Sequence, residues 1–172
     1  GGFSFNYHKH INTGEGGVII TNSKKLAQRM RLIRNHGEAV IKDNRMLQNN
    51  IIGHNFRLGE IEASIAIEQY KKLKNIVKER QHICRKLTDG LTQFKGLILP
   101  KETKRISHNY YIYPIKLDRN IISESRTRII NLLKKEGVQG LIDGYGAINN
   151  LPIFKNKIAY GKKKFPWSLR KK

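Results

Sequence analysis

The feature that most limits what this chain can fold into is a long apolar stripe at helical spacing. Leu58, Ile61, Ile65, Leu73 and Ile76 recur at steps that return to one face of a helix, and Ile83, Leu87 and Leu91 continue the stripe. A helix of that length with one greasy face must lie against other parts of a protein. A bend near Lys74 to Lys78 is expected, and Gly90 should weaken the last turns.

The rest of the chain arranges itself around this helix. Residues 1 to 6 read as extended, Tyr7 to Gly17 as a polar, Gly-rich loop, and Val18-Ile19-Ile20-Thr21 as a short buried strand. Asn22 or Ser23 can cap a helix running to Asn35, with Leu26, Met30 and Ile33 on one face and Gly37 as its stop. Residues 38 to 54 read as polar and irregular. After Gly96 the texture changes. Leu97-Ile98-Leu99 reads as a strand ended by Pro100, Tyr110 to Leu117 as a second strand, and Val138 to Ile142 as a third. Ser125 can cap a helix to Glu136, ended by Gly137. From Asp143 the chain is loop-like. No internal repeat is present.

The composition supports a folded chain with a core: 38% of the 172 residues are apolar and 27% are charged. No apolar run reaches the roughly 18 residues of a membrane span. One cysteine, Cys84, excludes an internal disulfide and fits a reducing compartment, so the cytoplasm is the expected location. Gly1-Gly2-Phe3-Ser4-Phe5 lacks the basic-then-apolar order of a secretion signal. The formal charge of +21 raises the question of nucleic acid. The lysines and arginines are scattered, however, with short runs only at Lys71-Lys72, Lys134-Lys135, Lys162-Lys163-Lys164 and Arg170-Lys171-Lys172. No zinc-finger spacing or aromatic RNA-binding signature accompanies them, so specific nucleic-acid binding is not expected.

The most informative segment is Ser4-Phe5-Asn6-Tyr7-His8-Lys9-His10-Ile11-Asn12-Thr13-Gly14-Glu15-Gly16-Gly17. Lys9 stands between a strand end and a Gly-rich turn, flanked by two histidines. Crowding of the three in a site would disfavour the ammonium, and such a lysine is a Schiff-base candidate. The alternative, a solvated surface lysine, stays open on chemistry alone. His8 and His10 lack a third ligand, so no metal is expected. The glycines precede a strand rather than open a helix, which is the wrong context for a phosphate loop; a tight turn accounts for them.

The spacing Ser4-Phe5-x-x-x-Lys9, followed by Gly14-Glu15-Gly16-Gly17 and an apolar strand, resembles the DegT/StrS family of pyridoxal-phosphate-dependent sugar aminotransferases. Gly53-His54-Asn55-Phe56-Arg57-Leu58-Gly59-Glu60-Ile61-Glu62-Ala63 resembles that family's Gly-Tyr-Asn-Tyr-Arg segment leading into its long helix, with Gln69, Leu73 and Arg80 following at family positions. Leu26 to Gly37 resembles its Leu-Arg-x-x-Arg-x-His-Gly stretch. Weaker matches are Leu151-Pro152-Ile153-Phe154, Ala159-Tyr160-Gly161 and Phe165-Pro166-Trp167. His10 stands where the family more often has Asn, and His54 where Tyr is common.

The resemblance implies an α/β fold: the end of a fold-type-I large domain with its connecting helix over residues 1–94, then a small C-terminal α/β domain over 95–172, incomplete at its end. It implies pyridoxal 5'-phosphate as cofactor. Lys9 matches the lysine that carries the cofactor covalently, Ser4 a serine that hydrogen-bonds its phosphate, and Asn55 an asparagine contributed to the phosphate of the neighbouring subunit's cofactor. Arg57 receives no role beyond packing or orienting that loop. The implied reaction moves an amino group from glutamate to a nucleotide-linked keto-sugar, in a homodimer, during polysaccharide biosynthesis. Family elements that complete the cofactor site would precede Gly1, so the chain reads as a fragment that is inactive alone. Two alternatives are a sugar dehydratase, a branch with His in place of the lysine, and a basic nucleic-acid-binding module.

Overall fold

The computed structural model describes residues 1–38, 51–103 and 105–169. Most of the segment expected to be irregular, residues 39–50, and the basic run at 170–172 lie outside the described residues. The chain divides into two compact units, Gly1–Lys116 and Leu117–Lys172.

The first unit opens with β1 (Gly2–Ser4) and β2 (Gly17–Ile19), paired antiparallel with Gly2 opposite Ile19, Phe3 opposite Val18 and Ser4 opposite Gly17. The ladder is extended at both ends: Phe5 N donates to Gly16 O at 2.9 Å, and Ile20 N to Gly1 O at 2.9 Å. The segment from Tyr7 to Gly16 is therefore the tip of a long-looped hairpin.

Helix α1 (Lys24–Arg34) begins where expected, with Ser23 as the cap: its Oγ accepts the Leu26 N–H at 3.3 Å. At the other end Asn35 caps the helix, and His36 and Gly37 both take left-handed φ, 54° and 78°. Gly37 N reaches back to Leu32 O at 2.8 Å. The bonds that usually complete such an end are supplied by another piece of chain. His54 N donates to Ile33 O at 2.7 Å, Phe56 N donates to Arg34 O at 2.9 Å, and His36 N donates to His54 O at 3.0 Å. Residues 54–56 thus form a strap that satisfies carbonyls the helix end would otherwise leave to water.

Helix α2 (Glu60–Leu91) is the long helix expected from the stripe. Its 32 residues span about 48 Å as one α-helix. Gly90 is accommodated without a break, because Thr92 N still closes on Thr88 O at 2.9 Å. Glu60 and Glu62 in the first turn complement the positive helix end. Only Cys84 on this helix is buried; of the stripe, Ile61, Ile65, Ile83 and Leu87 are exposed, while Leu58, Leu73, Ile76 and Leu91 are partly covered.

After α2 the expected strands shorten. β3 is Leu97–Ile98 and pairs with β4 (Lys116–Leu117), the strand in which the first unit gives way to the second. Tyr110 to Leu117 does not form a full strand. Tyr110 has φ 49°, which breaks an extended run, and its carbonyl accepts from Arg80 of α2 at 3.1 Å instead of from a strand. The domain boundary expected between residues 94 and 95 follows the change of texture after α2, whereas the division by contacts comes at Lys116.

In the second unit α3 (Arg126–Lys135) is capped by Ser125, whose Oγ accepts the Arg128 N–H at 3.2 Å. Val138 to Ile142 is not a strand. Val138 N bonds Leu133 O at 3.0 Å and Gly137 N bonds Lys134 O at 3.1 Å, so the first of these residues belongs to the left-handed end of α3. Gly140, at φ 74°, then turns the chain again. The short helix α4 (Pro152–Lys155) lies between single turns at Ile148–Asn150 and Trp167–Leu169. Among the described residues no helix is long and apolar enough to cross a membrane.

Candidate functional site

Asn6 organises the loop that carries Lys9. Its backbone N–H donates to Ser4 Oγ at 3.1 Å, and its carbonyl accepts from Lys9 N at 2.9 Å. Its side chain donates to Glu15 Oε1 at 2.7 Å and accepts from His8 N at 3.2 Å. Ser4 and Lys9, both singled out from the sequence, are therefore joined through one residue that sequence reasoning passed over. Thr13 pins the far side of the loop. It is buried, its N–H donates to Phe5 O at 3.0 Å, and its hydroxyl donates to Glu15 O at 2.6 Å.

The glycine-rich turn after Lys9 has a packing reason. A Cβ on Gly16 would meet Leu58 Cδ1 at 2.9 Å and Thr13 Oγ1 at 3.0 Å, and the residue has φ 147°. Leu58 continues the strap that holds Asn55, so loop and strap touch here. Asn55 itself pairs with Asn35 by a backbone bridge, and Arg57 Nη1 donates to Asn35 Oδ1 at 2.8 Å. Arg57 thus ties the strap to the cap of α1. The structure joins Ser4 to Lys9 by hydrogen bonds but joins Asn55 to neither. The Asn55 side chain is exposed and makes no hydrogen bond among the described residues.

The side chain of Lys9 is half-buried, with Nζ 4.2 Å from the centroid of the Tyr111 ring. His10 Nε2 lies 2.7 Å from Asn109 O; a carbonyl only accepts, so the imidazole donates. Residues 107–113 are held in turn by one face of α2. Gln81 Nε2 donates to Ser107 Oγ at 2.9 Å and to His108 O at 3.0 Å, and Thr88 Oγ1 lies 2.7 Å from Tyr113 Oη. Tyr110 is only 3% exposed, and its ring lies with centroids 4.3 Å from His108 and 6.0 Å from Tyr113. Burial pushes the Cys84 thiol up; Arg80 opposes this and Glu102 adds to it. Burial and the nearby Glu102 carboxylate push the Tyr110 phenol up as well. Tyr111 and Asn109 could not be found from the sequence, because His10 and Asn109 stand 99 positions apart and the segment reads as an ordinary strand.

The donor set suits a phosphorylated aldehyde. Ser4 Oγ accepts from Asn6, which leaves its O–H to donate. Asn55 offers a free amide among the described residues, and Lys9 offers an amine with no carboxylate against it there. These are neutral donors for a phosphate and a nucleophile for a carbonyl. Among the described residues no group of three or more His, Cys, Asp or Glu side chains is placed to hold a metal.

The chain is similar to the spore coat polysaccharide biosynthesis protein SpsC of Bacillus subtilis, 26% identical over 171 residues, which cover 95% of this chain and 44% of that protein. It is 33% identical over 139 residues to UDP-4-amino-4,6-dideoxy-N-acetyl-beta-L-altrosamine transaminase of Helicobacter pylori, covering 79% of this chain and 36% of that one. Among solved structures, Helicobacter pylori PseC, an aminotransferase involved in the biosynthesis of pseudoaminic acid, superposes with a TM-score of 0.73 at 26% identity. That match covers 95% of this chain and 44% of PseC. The chain therefore spans less than half the length of these relatives. Residues 1–170 match the DegT/DnrJ/EryC1/StrS aminotransferase family, and the chain belongs to that family.

Proposed function

We propose that this chain supplies Lys9, Ser4 and Asn55 to the pyridoxal 5'-phosphate site of a nucleotide-sugar aminotransferase. The reaction would take an amino group from glutamate and give it to a nucleotide-linked keto-sugar, in the cytoplasm and in a homodimer. When bound, the cofactor supplies the electron sink that makes the carbon–hydrogen bond of the donor acidic. Lys9 would hold the cofactor and afterwards move a proton at its Nζ. Ser4 would donate its hydroxyl proton to the phosphate. Asn55, carried on the strap against α1, would donate its amide to the phosphate of a neighbouring copy.

The observation that carries this reading is the joint anchoring of Ser4 and Lys9 on Asn6, at 3.1 and 2.9 Å, in a chain of this family. A lysine at the position where the dehydratase branch has histidine favours amine transfer over dehydration. The test is borohydride reduction of the protein expressed from its whole coding sequence, with added pyridoxal 5'-phosphate, followed by peptide mapping. The expected label is on Lys9, and Lys9→Ala abolishes both label and turnover. A pyridoxyl group on another lysine overturns the assignment.

A further inference from the structure

We propose that Tyr111 is a positioning residue for Lys9: its ring face is the dock on which the lysine rests whenever it is not covalently engaged. This rests on Lys9 as the attachment residue proposed above and goes beyond it. The two partners of the contact are fixed independently. Lys9 is held from below, by its own N–H on Asn6 O at 2.9 Å. Tyr111 is held from behind. Asn109 O accepts from His10, Tyr110 O accepts from Arg80, and Ser107 and His108 O accept from Gln81. Tyr110, the residue next to the docking ring, is the most buried apolar residue described. Nζ sits 4.2 Å from the ring centroid, within reach of a ring carried on an anchored backbone.

The chemistry of the contact suits a temporary rest. Among the described residues Lys9 Nζ has no ion pair, and Glu15, the acid in its own loop, is taken by Asn6. A carboxylate partner would hold the ammonium tightly. An aromatic face attracts it by only about 1 kcal/mol, a factor of roughly five in an equilibrium. Attachment joins Nζ to the aldehyde carbon and releases one water; detachment takes the water back and frees the amine. A dock for the free amine shifts that balance toward detachment. Removing the ring should therefore tighten covalent attachment, whereas a merely structural tyrosine would loosen it when removed.

The experiment uses the protein expressed from its whole coding sequence, with Tyr111→Leu and Tyr111→Phe variants. Pyridoxal 5'-phosphate is titrated and attachment is read by absorbance. Borohydride mapping of Lys9 runs in parallel. Tyr111→Leu should tighten attachment by about fivefold and Tyr111→Phe should leave it within twofold of wild type. In cofactor-free protein carrying ¹³C-methyl groups on its lysines, the Lys9 signal, identified by its loss in Lys9→Arg, should be shifted upfield by the ring. That shift should persist in Tyr111→Phe and vanish in Tyr111→Leu. Weaker or unchanged attachment in Tyr111→Leu overturns the dock, as does loss of the shift in both variants. A label on a lysine other than Lys9 overturns the attachment role instead, while the Lys9 signal still reads the contact with Tyr111. Should Tyr111→Leu fail to fold, His10→Ala, which releases Asn109, should tighten attachment in the same direction; looser or unchanged attachment there overturns the dock.

Discussion

Gly53 and Gly37 lie back to back: a Cβ on Gly53 would fall 2.0 Å from the Gly37 amide nitrogen. Gly37 in turn has φ 78°, and its own Cβ would meet Ile51 O at 2.4 Å. Neither backbone can yield without lifting the strap off α1. Gly53→Ala should therefore destabilise the protein by about 3 kcal/mol or displace the strap. Urea denaturation reads the first. The second would appear as weakened retention of pyridoxal 5'-phosphate, given the phosphate role proposed above for Asn55, two residues on. A wild-type midpoint with wild-type retention would contradict the close approach of Gly53 and Gly37.

Asn6 is the hub of the Lys9 loop through both of its side-chain bonds, to Glu15 and from His8. Asn6→Ala removes both while leaving its backbone bonds possible. The expected cost is about 1–2 kcal/mol, accompanied by slower cofactor capture at Lys9. Thermal melting and borohydride labelling measure the two effects. Intact labelling would mean that the backbone alone shapes the turn.

Tyr110 is the most buried apolar residue described, and its carbonyl is held by Arg80 of α2. Tyr110→Ala should cost about 3–5 kcal/mol, as expected for loss of a buried ring. Tyr110→Phe should cost far less. Denaturant unfolding of the two variants separates the ring from its hydroxyl.

Cys84 gives a pH dependence with a definite sign. Its folded-state pKa is raised above the ordinary value of 9.0, chiefly by burial. The resulting stability is fully present below the pKa of the unfolded thiol and is lost as pH rises through the folded value. Stability should thus fall above pH 9, with Tyr110, also raised, adding to the decline at higher pH. Cys84→Ala should flatten the first part of that slope. At neutral pH, alkylation of Cys84 should be slow and should accelerate on unfolding in urea.

The helices were legible because their signals are local. Ser23 and Ser125 cap α1 and α3 as their side chains suggest, and the stripe from Leu58 to Leu91 marks α2. The strands were less so. Val138 to Ile142 has strand composition, but the closure of α3 and the turn at Gly140 use up its backbone. Tyr110 to Leu117 has it too, yet Tyr110 takes a left-handed φ and its carbonyl is bonded by Arg80 of α2. Lys9 and Ser4 stood out through their spacing from a glycine-rich turn, while Asn6 between them looked like any loop residue. Tyr111 and Asn109 meet the loop only through long-range contacts, which no local pattern announces. The roles of Arg57 and His10, left open by the sequence, turn on their acceptors: the Asn35 side chain and the Asn109 carbonyl.

The strap over the end of α1 also bears on how this region can be rebuilt. The location of Asn55 is set by the main-chain bonds of its neighbours His54 and Phe56 to Ile33, Arg34 and His36. The same bonds couple it to the helix: a substitution that shortens or overwinds the last turn of α1 would move a proposed phosphate donor without touching it. For loop grafting, the invariant to preserve is the helix end.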